Sequence, residues 1–194
     1  MGERKYNIVV KKKGREYYRV KLCGLKRNLP LFEVAPGVRI CIFNTLGDTE
    51  IIGRIGLALS KKLPKADLLV TAEVKSIPLI YEIARRLKLP YIVIRKIFKP
   101  YMIGAIESQI VSITTGKPQT LWLDGKDRKK LAGKKIIIVD DVISTGATIK
   151  GMRRIVKKAG GEVVAEAAVF TEGDPKKWPR VISLGNIPVI RGKT

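Results

Sequence analysis

KKIIIVDDVISTGATI, residues 134–149, is the stretch on which the reading of this chain turns. Ile136, Ile137, Ile138 and Val139 are four consecutive β-branched residues, the mark of a strand buried on both faces. Asp140 and Asp141 stand at its carboxyl end, and Ser144, Thr145, Gly146, Ala147 and Thr148 make a small-residue turn. A helix follows, with Ile149, Met152, Ile155, Val156 and Ala159 on one face and Gly160-Gly161 at its close. Ligands of open α/β sheets sit beyond the carboxyl ends of strands. The turn puts hydroxyls and backbone N–H groups at the positive end of a helix, where a phosphate monoester is held. A plainer reading keeps the same elements, with both aspartates solvated and Ser144 or Thr145 only capping. Neighbouring residues of a strand point to opposite sides, so the acids are not expected to act as one clamp.

The pattern repeats on either side. Asp48 or Thr49 can cap a helix carrying Ile51, Ile52, Ile55, Ala58, Leu59 and Leu63, with Pro64 beyond it. Strand LLVTA (68–72), a helix over 77–88 with Pro78 in its first turn, and strand YIVI (91–94) come next; VVAEAAVF (163–170) adds another strand. Strands alternating with single amphipathic helices predict an α/β fold with a parallel sheet flanked by helices. Residues 97–133 interrupt the pattern and are long for a connection. Their ESQIVSI (107–113), TTGKP and QTLWL (119–123) read as two antiparallel strands about a Gly-Pro turn, a candidate flexible β-hairpin lid. YNIVV (6–10) and YYRVKL (17–22) flank a turn at Lys11-Lys12-Lys13-Gly14, and LPLFEVAPGVRICIF (29–43) reads as short strands and turns. The expected organisation is a basic β-rich hood over 1–45 and a core domain over 46–190, with the lid at about 97–133.

Composition removes whole classes of chemistry. The 194 residues contain no histidine, which excludes Ser-His-Asp and Cys-His machinery and every histidine-ligated metal. The two cysteines, Cys23 and Cys41, cannot make a disulfide framework or a four-cysteine zinc site. No apolar run reaches the roughly 18 residues that span a bilayer, and no signal-peptide core is evident, so a cytoplasmic location is expected. Neither GxxxxGK[ST] nor GxGxxG occurs. The net charge is +22, and residues 1–30 hold ten Lys or Arg against two Glu. Such a surface attracts nucleic acid or phosphorylated small molecules.

VDDVISTGAT resembles the phosphoribosyl-diphosphate (PRPP) signature of the type I phosphoribosyltransferases. The likeness runs over roughly residues 30–190 and is nearest to the adenine and xanthine phosphoribosyltransferase branch, through EVK at 73–75, RKIFKPYM at 95–102 and SITTGKPQ at 112–119. It implies transfer of ribose 5-phosphate from PRPP to a purine base with release of pyrophosphate and Mg2+ on the diphosphate, a cation-like ribose in the transition state, and a homodimer. By the same likeness Asp140 and Asp141 hold the ribose hydroxyls and assist the metal through water, and residues 144–148 take the 5-phosphate. Glu73, Val74, Lys75 and Ser76 form a short loop whose backbone N–H groups bind pyrophosphate, often with a cis peptide. Arg95, Lys96 and Lys99 neutralise the leaving diphosphate, with Lys96 and the lid residue Ser112 in the catalytic set. Val142 and Ile143 are placed against the base.

Two positions depart from the pattern. Many relatives have glycine where Ser76 stands. Adenine-specific ones place an acid in the lid for the ring proton of the base, where this chain has Thr114 and Thr115, so adenine and a 6-oxopurine both stay open. The alternative function is a PRPP-binding regulator of the same fold that meets nucleic acid through its basic N-terminus.

Overall fold

A strand buried on both faces must run through the middle of its sheet, and the apolar run at 136–139 does so. In the computed structural model, which describes residues 6–12, 14–111 and 118–192, the elements are, in chain order, β1 (Ile8–Lys12), β2 (Arg15–Leu22), β3 (Leu25–Ala35), β4 (Val38–Cys41), α1 (Thr49–Ser60), β5 (Leu68–Ala72), α2 (Ile77–Leu87) and β6 (Tyr91–Ile94). They continue with β7 (Ile106–Val111), β8 (Pro118–Leu123), α3 (Gly125–Leu131), β9 (Lys135–Ile143), α4 (Ala147–Lys158), β10 (Glu162–Glu172), β11 (Val181–Ile187) and β12 (Ile190–Arg191). The core sheet runs β11-β10-β9-β5-β6, all parallel. Alternation divides β9 between two cores: Ile137 and Val139 pack with α1 and α2, Ile136 and Ile138 with α4. All four are fully buried, a burial worth roughly 2 kcal/mol each.

The sheet turns direction beside β9. Beyond Ile138 this strand keeps its pairing with β10 as far as Ile143 but leaves β5. The chain after β5 passes to β6 through α2 on one face, and after β9 to β10 through α4 on the other. This is a topological switch point, the crevice where doubly wound sheets bind ligands. It opens at Asp140 and Asp141.

The second sheet is antiparallel, in the order β1-β2-β3-β4-β12. Its fifth strand comes from beyond Pro188, a stretch to which the sequence assigns no element. A shared carboxylate fastens this hood to the core. Asp48 caps α1 by accepting from the Ile51 N–H (3.1 Å) and also takes two hydrogen bonds from Arg27 of β3, at 2.7 and 3.0 Å.

The excursion at 97–133, expected to carry a flexible β-hairpin lid, has a packed stem. Its strands β7 and β8 pair as predicted, but Ile110, Leu121 and Leu123 are buried in the α4-side core. Gly151 of α4 lets them in: a Cβ there would lie 2.4 Å from Ile110 Cγ2 and 2.8 Å from Leu121 Cδ1. Over its described residues the excursion is an anchored part of the core. The lid residues Ser112, Thr114, Thr115, Gly116 and Lys117 lie outside the described residues. Helix α3, which sequence reading did not mark, is short and lysine-rich, with Leu131 its only buried residue.

Candidate active site at the sheet switch point

Loop 73–76 follows β5, and its Ser76 crosses the crevice. The Ser76 hydroxyl donates to Asp140 Oδ1 (2.8 Å) and accepts from the Asp141 N–H (2.9 Å), while Asp141 Oδ1 stands 3.3 Å from the same oxygen. The expectation of two divergent acids is therefore corrected. Asp140 folds back to accept from the next amide, Asp141 N–H at 2.9 Å, and both carboxylates meet at one serine. Burial pushes the Asp140 carboxyl up, and the neighbouring charge of Asp141 pushes it further. Lys75 Nζ lies 3.1 Å from Asp141 Oδ2. Apart from that ion pair the oxygen is buried without a hydrogen-bond partner among the described residues, a place that a water held by Mg2+ would fit. Among the described residues no group of three or more acids or cysteines is placed to hold a metal ion.

The loop is held from several sides. The Glu73–Val74 peptide is cis. Lys75 Nζ donates to the Phe43 carbonyl (3.2 Å), and its own carbonyl accepts from the Thr45 hydroxyl. Glu73 faces away from the crevice: its carboxylate accepts from the Lys96 N–H (2.6 Å) and pairs with Arg95 Nε (2.7 Å). Glu73 and Arg95 thus satisfy each other, which leaves Lys96 and Lys99 as the cations of this group without a carboxylate partner among the described residues. Ser76, grouped by sequence with the pyrophosphate contacts, uses its hydroxyl inside the protein.

The turn after β9 makes the recess where an anion was expected. Asp140 and residues 142–149 line a cavity of about 120 Å³ at the N-terminus of α4. The helix has no side-chain cap; Gly146 precedes it at φ 76°, a conformation that suits glycine. The glycine also answers to packing. A Cβ at Gly146 would lie 2.3 Å from Trp178 Cη2, so the indole occupies the space that sequence reading left to the phosphate. Val142 and Ile143, both expected against the base, also line this cavity; Val142 keeps part of its surface open, and Ile143, 2% exposed, packs into the α4-side core as well.

Sequence reading missed the wall next to this recess. A second cavity shares Ser144 and Thr145 and is completed by Glu172, Trp178 and Asn186 among others. Glu172 ends β10 and is buried; its Oε2 accepts from the Ser144 hydroxyl at 2.5 Å. Burial raises the Glu172 pKa against the opposing pull of the Ser144 hydrogen bond and the Lys75 charge. Its charge also reaches Cys41 of the hood, whose thiol is pushed up to about 12 by burial first and Glu172 second. Glu172 therefore lies where core and hood meet. Asn186 donates to Thr171, and the buried Trp178 Nε1 has no acceptor among the described residues. The carboxyl end of strand 163–170 was the signal that could have found this wall.

The chain thus carries an acid pair and a small-residue turn at the switch point of a parallel sheet. Residues 46–183 match the phosphoribosyl transferase domain, and the chain belongs to that family. It is 32% identical over 158 residues to a hypoxanthine/guanine phosphoribosyltransferase of Methanococcus voltae, covering 80% of this chain and 77% of that one. A hypoxanthine/guanine phosphoribosyltransferase of a Methanocaldococcus species is 32% identical over 133 residues, 66% of this chain and 64% of its own length, just under two thirds. In fold the chain resembles the adenine phosphoribosyltransferase of Thermoanaerobacter pseudethanolicus, with a TM-score of 0.67 at 23% identity over 82% of this chain and 95% of that one.

Proposed function

We propose that this chain is a purine phosphoribosyltransferase, moving ribose 5-phosphate from PRPP to a ring nitrogen of adenine or a 6-oxopurine and releasing pyrophosphate. The observation that carries the reading is the convergence of Ser76, Asp140 and Asp141 on the crevice between β5 and β9, beside the recess at 144–148. The 5-phosphate lies against the turn and the start of α4, where helix N–H groups and the macrodipole favour it. Asp141, whose Oδ2 is paired with Lys75, takes a ribose hydroxyl and stabilises the ribosyl cation that grows as the C1–O bond breaks. Lys96 and Lys99 meet the diphosphate as it leaves, with backbone N–H groups of residues 74–76. Asp140 and Asp141 would hold Mg2+ through water, and the metal would supply neutralisation of charge on the diphosphate.

The incoming purine must lose a ring N–H proton as its N–C1 bond forms. Glu172 accepts it, directly or through the Ser144 hydroxyl, and the electron pair of the broken C1–O bond departs on pyrophosphate. This assignment supplies the acid that Thr114 and Thr115 do not.

The assembly is a homodimer. Tyr81, Tyr91, Ile97, Phe98, Tyr101 and Ile103 are all exposed, Ile103 to 85%, and a second copy covering this apolar group would hold the 95–99 segment beside the site. Two unpaired thiols, Cys23 and Cys41, accord with a cytoplasmic setting. A regulator that only binds PRPP and nucleic acid is the weaker reading, because the described N-terminus is sheet and offers no helix to a major groove. Pyrophosphate release with adenine, hypoxanthine, guanine and xanthine, in the presence of PRPP and Mg2+, tests the proposal. Turnover with at least one base is expected; PRPP binding without turnover on any of the four would overturn it.

A further inference from the structure

The period-2 alternation of β2 sorts the N-terminal charges into two faces. Tyr18, Val20 and Leu22 point into the core with Leu29 of β3. Arg15, Tyr17, Arg19 and Lys21 lie on the outer face, and the register brings Lys12 opposite Arg15, Asn28 opposite Arg19 and Lys26 opposite Lys21. Like charges directly opposite each other destabilise a sheet, and here such a pair stands at each end of β2. The cations toward the core are matched: Arg27 by Asp48 and Glu50, Arg39 by Glu16. The five outer cations, Lys12, Arg15, Arg19, Lys21 and Lys26, have no carboxylate within ion-pair distance among the described residues. Glu16 and Glu33, which line the recess beside Tyr17, are engaged, Glu16 with Arg39 and Glu33 with the Gly37 N–H.

Aromatic rings lie among these charges. Tyr17, with Arg15 and Pro30, lines a recess, and Phe32, further along β3, is 60% exposed. At the other end Lys21 and Lys26 stand 5.8 and 5.7 Å from the Tyr6 ring. Repulsion without a protein counter-charge, distributed along a strand of roughly 20 Å with rings between, fits a flexible polyanion whose bases are open to stacking. A duplex would present phosphates but hide its base faces. We propose that the outer face of β1–β3 binds single-stranded nucleic acid, a function independent of base transfer.

The test is fluorescence anisotropy of the full chain with a labelled 20-nucleotide uridine RNA, the matching single-stranded DNA and a 20-base-pair duplex over a salt series. With five cations engaged, the logarithm of affinity for a single strand should fall against the logarithm of salt with a slope of about −3.5 at most. Arg19→Glu with Lys21→Glu should weaken binding tenfold or more and flatten that slope by about 1.4. Tyr17→Ala should weaken it at least fivefold at an unchanged slope, with Tyr17→Phe restoring it. Lys129→Glu with Lys134→Glu, an equal change in net charge elsewhere, should leave binding within twofold. Thermal melts establish that each variant is folded, and pyrophosphate release should be the same in all of them. Tighter binding of RNA than of DNA names the source as RNA; equal binding names single strands generally. The proposal is overturned if the control pair weakens binding as much as the β2 pair, if the duplex binds as tightly as the single strands, or if Tyr17→Ala has no effect.

Discussion

Replacing Ser76 with alanine removes one oxygen that serves both acids of the crevice. The hydroxyl is buried, donates to Asp140 Oδ1 at 2.8 Å and accepts from the Asp141 N–H at 2.9 Å. The Asp141 N–H keeps a second acceptor, Asp140 Oδ1 at 2.9 Å, so the loss falls on the buried carboxylate. A hydrogen bond to a charged group contributes about 1.5–3 kcal/mol. Near 2 kcal/mol, a chain of this size should melt about 4–8 °C lower. Loop 73–76 also loses its tie to β9, so PRPP affinity should fall with stability. The assay is denaturant unfolding of Ser76→Ala, Asp140→Asn and the double variant, with PRPP titration of each. A coupling energy above about 1 kcal/mol is expected, because the two groups share one bond. Additivity within about 0.3 kcal/mol, or a Ser76→Ala variant as stable as the parent with unchanged PRPP affinity, would refute the bridge.

Glu172→Gln should lower turnover about 100-fold or more with PRPP affinity retained, and pre-steady-state pyrophosphate release will measure it. Its pKa is raised above the ordinary 4.5, so the stabilising contribution of Glu172 is complete below that value and lost as pH rises through the folded pKa; unfolding at several pH values should show the glutamine variant gaining on the parent across that window. Asp48→Ala removes the α1 cap and the partner of Arg27, for a loss of about 2 kcal/mol in chemical denaturation. Because the Asp48 pKa is lowered from 3.8, mainly by the Arg27 hydrogen bond, this contribution is present above 3.8 and fades as pH falls through the folded pKa. Gly146→Ala drives a Cβ into the Trp178 ring, so indole emission should shift in the free protein; an unchanged spectrum in a folded variant would contradict the contact.

What the sequence made legible is local along the chain. Four β-branched residues, an acid pair and a small-residue turn within 134–149 suffice to predict β9, the recess and α4, because each signal acts over a few neighbours. The contacts that make the site are long-range. Ser76 meets Asp140 across 64 residues and Ser144 meets Glu172 across 28, and no periodicity encodes such pairs. Arg95 looked like a diphosphate cation because its run is basic; only the fold shows Glu73 opposite it. Trp178 followed a Gly-Asp-Pro turn that carried no apolar pattern, and its place over Gly146 depends on where β10 and β11 leave the sheet. Helix α3 was hidden by its own composition, lysine on nearly every side and a single leucine to bury.

Helix α4 has two duties on one rigid rod. Its first residues frame the anion recess, and one turn further on Gly151 receives Ile110 and Leu121 of the β7–β8 hairpin. A rod of 12 residues is about 18 Å long and does not bend within a turn. A change of side-chain size in the hairpin stem that displaces Gly151 is therefore expected to tilt the turn at 144–148 without replacing any residue of the crevice. For natural variation or laboratory selection, the stem is an adjusting screw for affinity, reachable by substitutions that leave every chemical group of the crevice in place.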